Sequence, residues 1–147
     1  MAHKHFAILD ESKIVINTQV GADDGISTEE AMANHMGVDA SDTKEYSEDG
    51  TFLNRGQAYI GDTYLVSENY FKKAQPFPSF TFNEATRDWD PPVAEPKDYI
   101  NTYNYSWDEE NLRWFGYPNS GAPDYTAAED PQVDYIWNPD TSTWETQ

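Results

Sequence analysis

Four segments of the chain carry two aromatic residues seven positions apart, separated by a polar, turn-prone stretch. These pairs, called clamp pairs below, are Tyr64 with Phe71, Phe82 with Trp89, Trp107 with Trp114, and Trp137 with Trp144. In the last three pairs, the first aromatic is followed by Asn83, Asp108 or Asn138 and preceded two residues earlier by Phe80, Tyr105 or Tyr135. A pattern that recurs at this many positions predicts one structural unit used several times.

The clamp spacing fits a β-hairpin with a four-residue loop. If the two aromatics face each other across the hairpin, the residues next to them in the intervening segment also face each other. Four residues then remain for the loop, which is a common length. An Asn or Asp at the loop edge starts the turn by hydrogen-bonding the backbone. The opposed aromatics then lie on one face and stabilise the hairpin by about 0.2–1 kcal/mol per pair. Because a lone hairpin is marginally stable, its aromatic face must pack against something else.

The clamp pairs have two interpretations. In the first they are structural staples, which is the ordinary role of paired aromatics. In the second their exposed rings bind a sugar or a protein partner, and the candidate binding residues are Phe82, Trp89, Trp107, Trp114, Tyr135, Trp137 and Trp144. Little of the printed sequence follows the last pair to cover it. We therefore expect the final hairpin to dock on a neighbouring chain.

Composition narrows the function classes. Of 147 residues, 37% are hydrophobic and 15% aromatic, so the buried surface must come largely from Tyr, Trp and Phe. The net charge of −18 repels phosphate backbones and anionic membranes and favours basic partners. Without cysteine there is no disulfide or thiolate metal site. No apolar run reaches membrane length and no signal peptide is evident, so we expect synthesis in a cytoplasm.

The pattern along residues 1–75 predicts a small body of hairpins with one short helix. Segments 6–9 and 13–20 are strand-like and are joined by the turn "DESK". A helix is expected over residues 27–36, because Ser27 and Glu30 have the spacing of a capping box and Gly37 is suited to end it. The fold class predicted for the whole chain is mainly β, of the α+β type.

The back half, residues 76–147, alternates clamp hairpins with proline-bearing spacers. Pro76 and Pro78 precede the first of these hairpins, and Pro91, Pro92 and Pro96 lie in the spacer that follows it. Proline-rich spacers favour extended conformations. We therefore expect an extended arm of aromatic-clamped hairpins, without a core of its own, lying along another surface.

The sequence contains no motif that predicts catalysis. It has no metalloprotease, phosphate-loop or nucleophile-elbow pattern. His3 and His5 form H-x-H, which we interpret as a solvated terminus rather than a metal site. Arg55, a loop arginine in so acidic a chain, is expected to pair internally with carboxylates. We predict a protein that is not an enzyme, with no catalytic residues, cofactor or metal.

Three stretches carry a family likeness. They fall within residues 55–64, 76–97 and 105–114, and read "RGQAYIGDTY", "PFPSFTFNEATRDWDPPVAEPK" and "YSWDEENLRW". They resemble patterns such as "RxNYAGIGYTYD", "PxPYPSWxLNExxxxWxxPVxYP" and "YxWDEExxxW" of small virion-associated structural proteins of marine tailed phages, especially cyanophages. The likeness covers roughly residues 5–115, with the block from Pro76 to Pro96 its most specific part. The chain departs from it at Leu65, where the family tends to have Asp, and adds the clamp at 137–144.

The resemblance implies a non-enzymatic structural component of a phage particle, made in the bacterial cytoplasm and located in the virion. The expected role is a capsid decoration or cement protein attached through its aromatic hairpin arm. The alternative is a carbohydrate-binding module or a tail, neck or fibre component that contacts the host surface. Expected partners are the major capsid protein, another virion protein or a second copy of the chain, and neither nucleic acid nor membrane.

Overall fold

The computed structural model describes residues 3–21, 25–96, 103–118 and 135–146. Within them the chain is mainly β, as predicted, with eleven strands and one α-helix. It divides into two compact units. Unit 1 contains Met1–Ala74 and Thr86–Asp88, and unit 2 contains Gln75–Ala85 and Trp89–Gln147.

Unit 1 is built on a three-stranded antiparallel sheet in the order β2-β1-β3. Its strands are β1 (Lys4–Leu9), β2 (Val15–Gly21) and β3 (Thr43–Tyr46). The first two strands form the predicted hairpin, and the Asp10 carboxylate closes its turn by accepting the backbone N–H groups of Ser12 and Ile14, both at 2.9 Å. The turn predicted from "DESK" is therefore confirmed.

The helix α1 spans Glu29–Met36, close to the predicted bounds. Its N-cap is Thr28, whose hydroxyl oxygen accepts the backbone N–H of Ala31 at 3.1 Å. The predicted capping box at Ser27 is therefore wrong by one residue, because the neighbouring hydroxyl takes the extended conformation that a cap requires. Gly37 ends the helix as predicted, with a left-handed φ of 72°.

The sheet of unit 1 is covered on both faces. On one face, Met32 of α1 packs against Phe6 and Ile8. On the other face, a second buried cluster contains Ala7, Leu9, Val15, Ala58, Tyr64 and Phe71. The clamp pair Tyr64–Phe71 therefore belongs to the core of this unit.

The remaining strands form three further antiparallel sheets. Two have two strands each, β4 (Thr63–Leu65) with β5 (Tyr70–Lys72), and β6 (Thr81–Asn83) with β7 (Asp88–Asp90). The last has four strands in the order β11-β10-β9-β8, namely β8 (Tyr103–Asp108), β9 (Arg113–Pro118), β10 (Tyr135–Asn138) and β11 (Thr143–Thr146). Each clamp pair lies on one of the last four hairpins of the described residues.

Unit 2 differs from the expected arm because it has a buried cluster of its own. Trp107, Trp114 and Trp137 are its buried members, and Phe77, Phe80, Val93, Tyr105 and Trp144 pack against them. Phe77, Phe80 and Val93 come from the proline-rich block, residues 76–96, in which the stretches flanking the Phe82–Trp89 hairpin are predicted spacers. The block instead supplies the apolar cover that the aromatic face of the four-stranded sheet needs.

Candidate functional site

The clamp aromatics face each other as their spacing predicts. Three pairs are direct cross-strand partners, and the ring centroids lie 5.2 Å apart in Tyr64–Phe71, 5.1 Å in Trp107–Trp114 and 5.3 Å in Trp137–Trp144. The rings of Phe82 and Trp89, on β6 and β7, lie 5.2 Å apart. The repeat is therefore a recurring hairpin geometry as well as a recurring sequence.

The four loops also share a backbone conformation that the sequence did not reveal. The fifth residue after the first clamp aromatic is left-handed in every copy, with φ of 60° at Asn69, 54° at Arg87, 51° at Leu112 and 54° at Ser142. A left-handed residue at this point lets the chain re-enter the second strand. Only Asn69 is a residue type that favours this conformation, so no composition signal marks the position.

The Asn or Asp at the loop edge performs its predicted role. Asn83 and Asn138 each accept the backbone N–H two residues further on, at 3.0 Å in both loops. Asp108 accepts the backbone N–H of Asn111 at 3.2 Å, and the pKa of its carboxyl is lowered by hydrogen bonds from Asn111 and Arg113. These side chains fix the loop where a turn must begin.

Two clamp hairpins combine into one aromatic surface in unit 2. Strand β10 pairs with β9 through Tyr135 opposite Gly116 and Ile136 opposite Phe115. Because side chains alternate across a strand, this register places both tryptophan pairs on the same face. The three buried tryptophans of the cluster are only 6–8% exposed.

The last clamp is covered by the chain itself. Trp137 is 7% exposed, and the ring of Trp144 stacks on that of Tyr103 with 5.1 Å between centroids and an interplanar angle of 14°. The expectation that little of the chain remains to cover this pair is therefore wrong. The sequence could not show it, because the cover comes from strands that precede the last hairpin.

Hydrogen bonds tie the indoles to the proline-rich block. The Trp114 indole N–H donates to the Val93 carbonyl at 2.9 Å, and the Trp107 indole N–H donates to the Glu109 carboxylate at 2.8 Å. Ser79 also donates to that carboxylate, at 2.7 Å from its hydroxyl. The bond from Ser79, followed by that from Trp107, lowers the pKa of Glu109. These bonds hold the block in place over the sheet.

Tyr105 lies at the side of this cluster. Its hydroxyl donates to the Glu95 carboxylate at 2.7 Å. Burial, together with this bond and the negative charge of Glu95, raises the pKa of Tyr105 to about 12. The hydroxyl therefore stays protonated at neutral pH and serves as a hydrogen-bond donor.

The seven candidate binding residues divide into two groups. Trp107, Trp114 and Trp137 are buried within unit 2, which favours the interpretation of these three as structural staples. The half-buried residues are Phe82, Trp89, Tyr135 and Trp144. The structure brings five of the seven onto one sheet, and Phe82 and Trp89 onto another.

The opposite face of the four-stranded sheet carries apolar side chains that the clamp pattern passed over. Phe115 and Ile136 are direct cross-strand neighbours and are half-buried, and Tyr117 on the same strand as Phe115 is 37% exposed. We call these three residues the outer face. The alternation in "RWFGY" and "YIWN" was the sequence signal for the outer face. Residues next to a clamp tryptophan in a strand lie on the opposite face of the sheet.

Arg55 forms the main polar centre of unit 1. It is 7% exposed, and one terminal guanidinium nitrogen donates to the Glu29 carboxylate at 2.6 Å and to the Glu45 carbonyl at 2.9 Å. Its Nε donates to the Asn69 side-chain oxygen at 3.0 Å. The prediction that Arg55 pairs internally with a carboxylate is confirmed. The ion pair links α1, β3 and the loop of the β4–β5 hairpin.

Side-chain clusters and helices bear on the predictions about metal and membrane, within the described parts of the chain. His5 Nε2 lies 3.4 Å from the Glu48 carboxylate, and no group of three His, Asp or Glu side chains there is placed to hold a metal ion. Among the helices in those parts, none is long and apolar enough to cross a membrane.

Comparison with known proteins identified no relative. No family model matches the chain, and neither the curated proteins nor the solved structures contain a significant match. The likeness to marine phage proteins therefore stays a prediction from the residues.

Proposed function

We propose that the protein is a non-enzymatic structural component of a phage virion and that it decorates the capsid. The resemblance of residues 5–115 to virion-associated proteins supports the proposal that the protein is part of a phage particle. The fold adds a second support, because the aromatic residues that the resemblance shares are used to build a compact β unit with an apolar outer face. A protein of this kind contributes contact surface rather than chemistry.

The outer face is the observation that carries the proposal. It places Phe115, Ile136 and Tyr117 side by side on a sheet whose other face is already packed. Apolar surface left in water costs about 25 cal/mol per Å², so a partner that covers these side chains stabilises the bound state. In this proposal residues 76–147 hold the protein on the particle and residues 1–75 form a separate body.

Charge defines the partner more closely. Glu145 is exposed and stands directly opposite Ile136 in the sheet, and Asp140 is exposed in the adjoining loop. With a net charge of −18, the chain is attracted to a partner that presents basic groups around an apolar contact. The major capsid protein is the partner we propose, and it should carry lysine or arginine at the rim of the contact.

Copy number tests the proposal directly. Quantitative mass spectrometry of purified virions should find the protein on the order of hundreds of copies per particle, as expected of a repeated capsid lattice. A count of about six or twelve would place it in a symmetric ring at the neck or tail. Absence of the protein from purified virions would reject the proposal that it is a virion component.

A matched pair of variants tests the surface. Tyr117→Ser removes a ring from the outer face, and Tyr59→Ser removes one that is 56% exposed in unit 1. We expect Tyr117→Ser to weaken binding to undecorated particles by about tenfold, which corresponds to about 1.4 kcal/mol, and Tyr59→Ser to leave it unchanged. Equal effects of the two variants would show that the outer face is not the contact.

A further inference from the structure

The two edges of the unit 1 sheet are treated differently. At the β3 edge, the backbone N–H of Glu45 donates to the Glu29 carboxylate at 2.9 Å, and the Glu45 carbonyl accepts from Arg55 at 2.9 Å. The ion pair between Glu29 and Arg55 therefore takes the place of a neighbouring strand at this residue. Side chains that occupy edge groups prevent another chain from pairing there.

Within the described residues, the β2 edge is protected at its start, by hydrogen bonds at Val15 and by a bulge at Ile16, where the register with β1 shifts. The backbone N–H of Val15 donates to the Asp62 carbonyl at 2.8 Å, and the Val15 carbonyl accepts from Gly61 at 2.9 Å. Over Ile16–Val20, no described residue outside the sheet hydrogen-bonds to the backbone. Beyond the bulge, Asn17–Val20 is thus an unprotected edge within the described structure.

The composition of β2 adds to this contrast. The seven residues Val15–Gly21 include no charged residue, although 24% of the chain is charged. The β3 strand, by comparison, carries Lys44 and Glu45. Ile16 and Val20 are both 53% exposed. Proteins ordinarily place charges on exposed edges to prevent pairing, so an uncharged edge with exposed β-branched residues favours it.

The sequence of β2 is symmetric in character about Thr18. Asn17 and Gln19 on either side are both carboxamides, and Ile16 and Val20 beyond them are both β-branched aliphatics. If two such strands pair antiparallel about Thr18, each residue meets one of its own chemical kind. Opposed threonines stabilise antiparallel ladders, and carboxamides both donate and accept hydrogen bonds, so these pairs are compatible with a ladder. Thr18 also shares a side-chain hydrogen bond with Tyr46 of its own chain. No like charges face each other across the ladder.

We propose that two copies of the chain associate through their β2 strands, antiparallel about Thr18, to form a continuous six-stranded sheet. The contact is self-complementary, so a two-fold axis through Thr18 closes it as a dimer. The charge of −18 on each copy opposes the association from outside the ladder. Salt screens that repulsion, so the dimer should become more stable as ionic strength rises.

A charged residue on the edge tests the surface. Val20→Lys places a charge in the ladder, and Val66→Lys is the matched control at a valine that is 63% exposed outside β2. In sedimentation velocity over a range of concentrations, the unmodified chain and Val66→Lys should dimerise, and more so at high salt. Val20→Lys should weaken the dimer at least about tenfold. A chain that stays monomeric up to about millimolar concentration, or equal dimerisation of the two variants, would overturn the proposal.

A cysteine at the two-fold axis tests the register. The chain has no cysteine, so Thr18→Cys offers a single thiol that meets its own copy only if the strands pair about this residue. Under mild oxidation it should form a disulfide-linked dimer about tenfold faster than Val66→Cys at the same concentration, because opposed residues in a ladder lie within disulfide reach. Equal rates for both variants would reject the pairing. Circular dichroism of each variant checks that the fold is intact.

Discussion

The two units use the same clamp hairpin to build different cores. In unit 1 the pair Tyr64–Phe71 packs against aliphatic residues of the sheet, among them Leu9 and Val15. In unit 2 the pairs Trp107–Trp114 and Trp137–Trp144 pack side by side and against further aromatics. The comparison shows that the seven-residue spacing determines the hairpin, whereas the neighbouring elements determine what its aromatic face covers.

The loops of the two units differ in the same sense. In unit 2 the side chains of Asn83, Asp108 and Asn138 hold the turns. In unit 1 this position is Leu65, and the turn is closed by its backbone carbonyl, which accepts from the Asn69 N–H at 2.7 Å. Arg55 then fixes the Asn69 side chain, so a long-range contact replaces a local one. The turn of unit 1 therefore depends on a backbone hydrogen bond and a contact distant in the sequence, whereas the turns of unit 2 depend on local side chains.

The largest expected effect is on the rings of unit 2. Trp114→Ala should lower the free energy of unfolding by about 3–5 kcal/mol, because it empties the middle of the aromatic cluster. All five tryptophans belong to unit 2, so fluorescence during urea unfolding reports on that unit. Hydrogen exchange of the β1 amides should be unchanged if unit 1 is held by other contacts. A loss below about 1 kcal/mol would show that the cluster is not the core.

The next effect belongs to unit 1. Arg55→Met should cost about 2 kcal/mol, since it removes the guanidinium hydrogen bonds to Glu29, the Glu45 carbonyl and Asn69. Lys44, 4.0 Å from the Glu29 carboxylate, still offsets part of its charge. Hydrogen exchange at the amides of Glu45 and Phe71 should accelerate, whereas the tryptophan transition of unit 2 should not move. The double variant Glu29→Gln with Arg55→Met is the control and should recover part of the loss. If Arg55→Met lowers the stability measured by tryptophan fluorescence as much as the stability measured by hydrogen exchange in unit 1, the two cores are not independent.

A smaller effect is expected at the loops. Asn138→Ala removes the acceptor that closes the last turn and should cost about 1 kcal/mol. The control is Asp140→Ala, which keeps the backbone N–H that Asn138 receives. The urea midpoint of the tryptophan fluorescence transition measures the stability of both variants. Equal midpoints would mean that the left-handed residue alone is sufficient to form the turn.

The smallest effect appears only in acid. The pKa of Glu109 is lowered in the folded protein, so its contribution to stability is present above the ordinary glutamate pKa. That contribution is lost as pH falls from the ordinary value through the lowered one. Glu109→Gln should therefore flatten the acid limb of the stability profile of unit 2, as followed by tryptophan fluorescence. An unchanged acid limb would show that the hydrogen bonds from Ser79 and Trp107 do not favour the charged form.

Local signals in the sequence predicted the parts of the fold that local chemistry controls. The clamp spacing predicted which aromatics face each other, and Gly37 predicted the end of the helix. The cap was misplaced because Ser27 and Thr28 offer the same hydroxyl one residue apart. Pairing of β9 with β10 was beyond reach, because these strands are separated by residues 119–134 and no local pattern links them. Arg55 was expected to meet a carboxylate, but Glu29, 26 positions away, carries no signal of its own.

The proposal that the chain decorates a phage capsid is tested most directly by a density map of the whole particle, refined without assuming where the protein lies. The account predicts density for the chain on the outer surface of the shell, repeated over the lattice, with Phe115, Tyr117 and Ile136 of unit 2 against the major capsid protein. Density confined to the neck, tail or fibres would contradict capsid decoration. Contact through unit 1 alone would contradict the assignment of the outer face.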